Sequence, residues 1–266
     1  MSSDASIESA RPFRPARPSS ELREAALERP TKAKAAAGRP FRVAGEPPAD
    51  LEWFLGRNPG RPILRGAAYA VAKRFLDIAI VVLALPVVIP AVLGCWLAVK
   101  LEAPGAPAVF VQRRTGRNGR TFRMFKFRTM VPDAEEKKAE LQTLNKLSWP
   151  DFKVEDDPRI TRLGGWLRKT SLDELPQLIN VLRGEMSLVG PRPTSFGVET
   201  YLEWQMARLV VPPGLTGLWQ IAGRGEMEFD ERVRLDLAYI ARRSVALDWQ
   251  ILLRTVGAVI RRKGAC

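Results

Sequence analysis

The sequence predicts an α/β protein, mainly helical with a small sheet, that associates with a membrane. Three observations predict it. Ile78 to Val99 read IAIVVLALPVVIPAVLGCWLAV without one charged side chain. Two strand-like runs flank a GRNG turn at residues 116–119. Farther on, apolar residues recur at helical spacing in three segments.

Composition narrows the chemistry. The chain has 266 residues, no histidine, two cysteines and a formal charge of +13. Without histidine there is no Ser-His or Cys-His nucleophilic pair and no imidazole acid or base. Cys95 lies in an apolar run and Cys266 is the last residue, so neither a disulfide framework nor a zinc site is expected. Catalysis would fall to carboxylates, Arg, Lys, hydroxyls and a hard cation such as Mg²⁺. The positive charge favours an anionic partner: nucleic acid, an acidic membrane surface or a phosphorylated substrate.

Residues 1–66 form the first predicted segment, a basic Pro/Ala/Arg-rich tail with too few large apolar residues to offset its ordering entropy. It is expected to be disordered, to lack a signal peptide and to be dispensable for catalysis up to about residue 60; LEWFLG (51–56) is its one candidate for local docking. Residues 67–102 form the membrane segment. Pro86 and Pro90 fall near its middle, each removing a backbone donor, so a break is expected there. Lys73-Arg74 and Lys100 at its two flanks fit both ends on one side. Taken alone, a re-entrant helix and a kinked spanning helix remain equally open.

Residues 103–266 form the predicted catalytic domain. VFVQRRTGRNGRTFRMFKFRTM (109–130) reads as a basic hairpin, and the slip in alternation at Met124-Phe125 points to a bulge or a change of element there. Its cations, Lys126 and Arg128 among them, are candidates for phosphate contact. A short helix is expected around Trp166-Leu167, and another from about Ser171 to Arg183, closed by Gly184. In SLDELPQ (171–177) Ser171 and Glu174 have capping-box spacing, and an N-cap at Asp173 would leave Pro176 in the first turn. Capping and chemistry both remain open for Asp173 and Glu174. Arg159, Arg162, Arg168 and Lys169 precede them and Arg192 follows between two prolines; this setting is expected to favour ionised carboxylates and to attract phosphate. VPPGLTGLWQIAGRGE (211–226) reads as a long functional loop carrying Trp219, Gln220 and Arg224. Helices over about Phe229–Arg242 and Leu247–Arg262 complete the chain; the last is either a core helix or an interfacial amphipathic one.

From about residue 70 onward the sequence resembles the bacterial sugar transferases that are small monotopic phosphoglycosyl transferases. The resemblance rests on KRFLDI (73–78), KFRTM (126–130), DPRITRLGGWLRKTSLDELPQLINVLRGEMSLVGPRP (157–193), PGLTGLWQIAGR (213–224) and LDWQILLRTVGAVIRRKGA (247–265). It implies a monotopic protein whose re-entrant membrane helix leaves the catalytic domain facing the cytoplasm at the inner membrane. It implies transfer of a sugar 1-phosphate, glucose or galactose, from a UDP-sugar to undecaprenyl phosphate, with release of UMP, at the first membrane step of exopolysaccharide synthesis. Asp173 matches the family's nucleophile and Glu174 its neighbour, the two also standing as ligands for a required Mg²⁺. Arg168 and Arg192 match phosphate-binding arginines; Lys126, Arg128 and Arg224 fall in matched motifs and join the substrate-binding candidates. Anionic lipids are implied partners, nucleic acid is not, and a homo-oligomer is left open. The family's membrane helix usually breaks at a Ser-Pro pair; here the pair is Ile89-Pro90, with Pro86 an additional breaker. The rival reading is a membrane-anchored basic binding or scaffold protein without catalysis.

Overall fold

The computed structural model describes residues 51–55, 64, 66–145, 151–222 and 227–260. Arg224 and the tail before residue 51 lie outside the described residues. A short helix α1 (Glu52–Leu55) precedes the long helix α2 (Gly66–Glu102). Then come strands β1 (Val109–Thr115) and β2 (Thr121–Phe127), helix α3 (Arg162–Thr170), a 3-10 helix over Leu172–Gln177, α4 (Leu178–Arg183) and β3 (Ser187–Val189). Helix α5 (Glu203–Met206), β4 (Gly214–Thr216), α6 (Leu218–Ala222), α7 (Phe229–Arg242) and α8 (Val245–Ile260) follow.

The mainly helical architecture holds, and among the described residues the strands form two small sheets. β1 and β2 pair antiparallel from Val109↔Phe127 to Thr115↔Thr121 without a bulge, which corrects the expected slip at Met124-Phe125. The alternation fades there because both faces are covered. Met124 sits in the core, while the Phe125 N–H donates to Asn180 Oδ1 at 3.2 Å and Arg183 lies over the Phe125 ring. The second sheet pairs β3 and β4 in parallel, Ser187 opposite Gly214 and Val189 opposite Thr216. A Cβ on Gly214 would stand 2.1 Å from the Gly190 backbone nitrogen, so only glycine allows that approach. The stretch expected as one long loop therefore contains β4 and α6.

Helix α2 is continuous through Pro86 and Pro90, contrary to the expected break. Each proline withdraws one backbone donor, and the hydrogen-bond ladder on either side carries the helix past it. Its burial is confined to its two ends. Near the start, Tyr69, Asp77 and Val81 are buried; near the finish, Cys95 and Val99 are. Between them Leu83 and Val87 are 80% and 77% exposed.

Both ends are anchored in the same folded body. The Asp77 carboxylate accepts from Ser187 Oγ at 2.7 Å and from the Leu188 N–H at 3.2 Å. Arg74 donates to the carbonyls of Val181 and Leu182 at the end of α4. Lys73 and the Tyr69 hydroxyl meet Asp248 of α8, which also accepts from the Tyr239 hydroxyl at 2.6 Å. At the far end Val99 packs with Ala108, Phe127 and Leu167, and Glu102 accepts from Thr161 Oγ1.

The main core joins Val81, Met124, Val181, Met186, Leu188, Val189, Leu218, Leu235 and Ile251. Leu51 and Phe54 belong to it as well, with 0% and 4% of their surface exposed. Arg242 donates to the Phe54 carbonyl and stacks on its ring, and Arg254 stacks on Trp53 at 3.8 Å. Leu51 and Phe54, within the segment read as a tail, thus pack into the core.

Candidate active site

The segment SLDELPQ does not begin an α-helix. Ser171 has φ 58° and closes α3 as a left-handed cap, its N–H donating to the Arg168 carbonyl at 3.1 Å. No side-chain capping bond accompanies it, so the expected helix from Ser171 and its capping box are corrected. Pro176 has no N–H to give, and residues 172–177 wind into a 3-10 helix before α4 takes over. The tighter winding presents Asp173, Glu174 and Gln177 to one cleft of about 760 Å³. Asp173 is buried there, with 9% of its surface exposed.

Six described cations line the same cleft, among them Arg114 of β1, Lys126 of β2, Arg168 of α3 and Arg192 of the loop after β3. The three arginines named are aimed by hydrogen-bond partners. Arg168 Nε donates to Thr129 Oγ1 at 2.9 Å. Helix α3 reaches Thr129 because Gly164 lies against its backbone; a Cβ there would stand 2.0 Å from the Thr129 carbonyl oxygen. Arg192 grips Glu174 with both terminal nitrogens, Nη1 at 3.2 Å from Oε2 and Nη2 on Oε1. Pro191 and Pro193 fix the backbone on either side of Arg192. Its carbonyl accepts from Arg208 at 2.8 Å, itself paired with the buried Asp236, and the Pro193 carbonyl accepts from Arg114 at 3.2 Å. The Thr115 N–H donates to the Thr194 carbonyl at 3.0 Å, tying this loop to the hairpin.

The electrostatics correct one expectation. The surrounding cations do pull the Asp173 carboxyl down, but burial first, then the charge of Glu174, push harder, and its pKa is raised to about 6. Burial, with Arg114 and Arg168 nearby, lowers Lys126 to about 8. Burial and the like charge of Arg192 lower Arg114 to about 10. The cleft thus holds cations at a cost, as a site for a polyanion must.

Other candidates fall elsewhere. Arg128 is buried, donating to the carbonyls of Pro107, Val99 and Ala103; it staples the end of α2 and does not line the cleft. Arg159 is turned away to Asp157 and the Ala134 carbonyl. Trp219 and Gln220 do line the cleft, beside the ion pair of Arg232 with Asp151. Arg114 and Gln177 were not singled out from the sequence. Arg114 could have been found by counting strand residues in twos: the register sets Phe110 opposite Lys126 and Arg114 opposite Phe122, so Arg114 and Lys126 share a face. Gln177 could not; its amide nitrogen is buried without a hydrogen-bond partner at the cleft wall, which the 3-10 winding alone determines.

The donor set also bears on a metal. Among the described residues no cluster of three or more metal-ligating side chains occurs. The Asp173–Glu174 pair suits a hard cation that takes one or two carboxylates and completes its shell with water and substrate phosphates.

Comparison with known proteins adds the lineage. Residues 68–262 match the family model described as bacterial sugar transferase. The galactosyl transferase CpsE of Streptococcus agalactiae is 47% identical over 200 residues, covering 74% of this chain and 44% of that protein. The undecaprenyl-phosphate galactose phosphotransferase of Salmonella typhimurium is 42% identical over 198 residues, covering 73% and 41%. The chain therefore spans less than half the length of these two relatives. The exopolysaccharide production protein ExoY of Sinorhizobium fredii is 40% identical over 224 residues, covering 82% of this chain and 96% of ExoY. The matched segment holds α2 from Ala68 onward, both described sheets and every described residue of the cleft from Arg114 to Arg192, and the chain belongs to the bacterial sugar transferase family.

Proposed function

We propose that the protein transfers a sugar 1-phosphate, glucose or galactose, from a UDP-sugar to undecaprenyl phosphate through a phosphosugar carried on Asp173. The observation that carries this reading is a buried carboxylate with a pKa of about 6 in a cleft walled by Arg114, Lys126, Arg168 and Arg192. A pKa near 6 leaves Asp173 mostly ionised at pH 7, yet only lightly solvated. An Asp173 oxygen attacks the β-phosphorus of the UDP-sugar. The bond from that phosphorus to the bridging oxygen breaks, and UMP departs with both electrons. An oxygen of the acceptor phosphate then attacks the same phosphorus, and the Asp173 carboxylate leaves.

Arg168 and Lys126 neutralise charge on the transferring group, and Arg192, aimed by Glu174, does the same from the opposite wall. Mg²⁺ held at Asp173 and Glu174 would add neutralisation of the diphosphate. Arg224, in a matched motif, is retained as a substrate contact. The galactosyl transferase of Streptococcus agalactiae and the undecaprenyl-phosphate galactose phosphotransferase of Salmonella typhimurium, both similar to this chain, support the acceptor and the galactosyl chemistry.

The same reading makes α2 a re-entrant helix, with the catalytic domain on the cytoplasmic face of the inner membrane and anionic lipids about its basic flanks. Both ends of α2 are held by one folded body while its middle is exposed and apolar. A spanning helix would separate those ends by a bilayer. Place in the cell follows from chemistry: nucleotide sugars are cytoplasmic, and a lipid-linked sugar is the starting unit of an exopolysaccharide. Detergent-solubilised protein, incubated with undecaprenyl phosphate and a panel of UDP-sugars, should release UMP with one or two of them and stop when EDTA is added. A non-catalytic scaffold releases none.

A further inference from the structure

The cleft has a second limb that the phosphate chemistry does not use. Away from Asp173 it is lined by Ile80 of α2 and by Trp249, Leu252, Leu253, Val256 and Val259 of α8. Helix α8 cannot roll to hide these side chains. Its inner face is fixed by buried Leu247 and Ile251, by Asp248 held from Tyr69, Lys73 and Tyr239, and by Thr255 Oγ1 at 2.8 Å from Thr216 Oγ1. Trp249, Leu253 and Val256 therefore stay 53%, 57% and 58% exposed, at the spacing of one helical stripe.

Resting on the function proposed above, we infer that this limb seats the first isoprene units of the acceptor. Three features select that occupant. One cleft combines a cluster of cations with an apolar stripe of α8, which suits a ligand that carries a phosphate on a hydrocarbon chain. A sugar nucleotide has no aliphatic chain to lay along Trp249, Leu253 and Val256. Ile80 belongs to α2 and adjoins the exposed Val82 and Leu83, so a chain leaving the limb enters the apolar surface of the membrane helix without crossing water. From Trp249 to Val259 the helix rises about 15 Å. The groove thus holds only the start of a long polyprenyl chain, and chain-length dependence should saturate early.

The test compares undecaprenyl phosphate with methyl phosphate, which has no prenyl chain, as acceptors in detergent, following UMP release. Leu253→Ser changes an exposed side chain. It should lower kcat/KM for undecaprenyl phosphate about tenfold, the factor for losing the burial of one leucine side chain, and leave methyl phosphate unchanged. An equal fall for both acceptors, or none for either, overturns the assignment; α8 would then only rest on the bilayer. A polyprenyl phosphate with a diazirine in its second isoprene unit decides independently of turnover. Labelling within residues 245–260, competed by undecaprenyl phosphate, supports the groove. Labelling confined to residues 82–93 shows the chain passing directly into lipid. If no UDP-sugar yields UMP with any acceptor, the proposed function falls, and the photolabel still judges the groove.

Discussion

At the scale of single residues the account rests on Asp173. Its raised pKa has a stability consequence. The folded state binds that proton more tightly than the unfolded chain, whose aspartates titrate near 3.9. Its contribution to stability is therefore fully present below about pH 4 and is lost as pH rises through about 6. Asp173→Asn removes the buried charge, so at pH 7 it should abolish transfer while raising stability by about 3 kcal/mol. Urea melts of the two proteins check this, and a clearly destabilised Asn variant would contradict it. Arg168→Ala and Arg192→Ala should each lower kcat/KM about tenfold to a hundredfold, since a hydrogen bond to a charged group is worth about 1.5–3 kcal/mol. Unchanged kinetics would remove that arginine from the site. The free enzyme should show a bell-shaped pH profile in kcat/KM. It rises as Asp173 ionises near 6 and falls as Lys126 loses its proton near 8. A profile flat from pH 5 to 9 would break the assignment of both groups. Asp173, Glu174, Lys126, Arg168 and Arg192 were legible as chemistry-bearing types in matched motifs. The sign of the Asp173 shift was not, because burial is a property of the packed chain.

At the scale of elements, regular periods were legible and short irregular pieces were not. Fourteen residues of 3.6-residue periodicity gave α7 its bounds, and strand-like runs about a GRNG turn gave the β1–β2 hairpin. The 3-10 helix and the parallel β3–β4 pair escaped. Six- and three-residue segments complete too few periods to be read, and a parallel partner lies far along the chain. Helix α1 was legible only as a patch that could dock locally, because a stretch this short does not reveal that Leu51 and Phe54 belong to the core. A truncation starting near Arg61, expected from composition to be harmless, should instead destabilise the domain by about 3–5 kcal/mol, as loss of large core side chains does. A truncation starting just before Leu51 should leave stability unchanged. Equal melts for both would show that α1 adds nothing. For α2, a cysteine near Ser19, with Cys95 and Cys266 replaced, should be protected from an impermeant thiol reagent until cells are lysed. Labelling in intact cells would mean that α2 spans.

At the scale of the whole molecule the pieces converge on one place. Residues near both ends of helix α2 pack on the domain, and β1–β2, α3 and the loop after β3 supply the cations. The 3-10 helix presents the carboxylates, and α8 closes the apolar side. Charge of +13, absence of histidine and the charge-free run from Ile78 to Val99 suit a protein that handles anions at a lipid surface with carboxylate chemistry. The central claim is that Asp173 carries the phosphosugar. Its most direct test is intact-protein mass spectrometry after incubation with the UDP-sugar and Mg²⁺ but no acceptor. The account predicts a gain of one hexose phosphate, UMP released in equal amount, the adduct mapped to the peptide bearing Asp173, and neither adduct nor burst in Asp173→Asn. A wild-type enzyme that turns over with undecaprenyl phosphate yet forms no adduct under these conditions would contradict it.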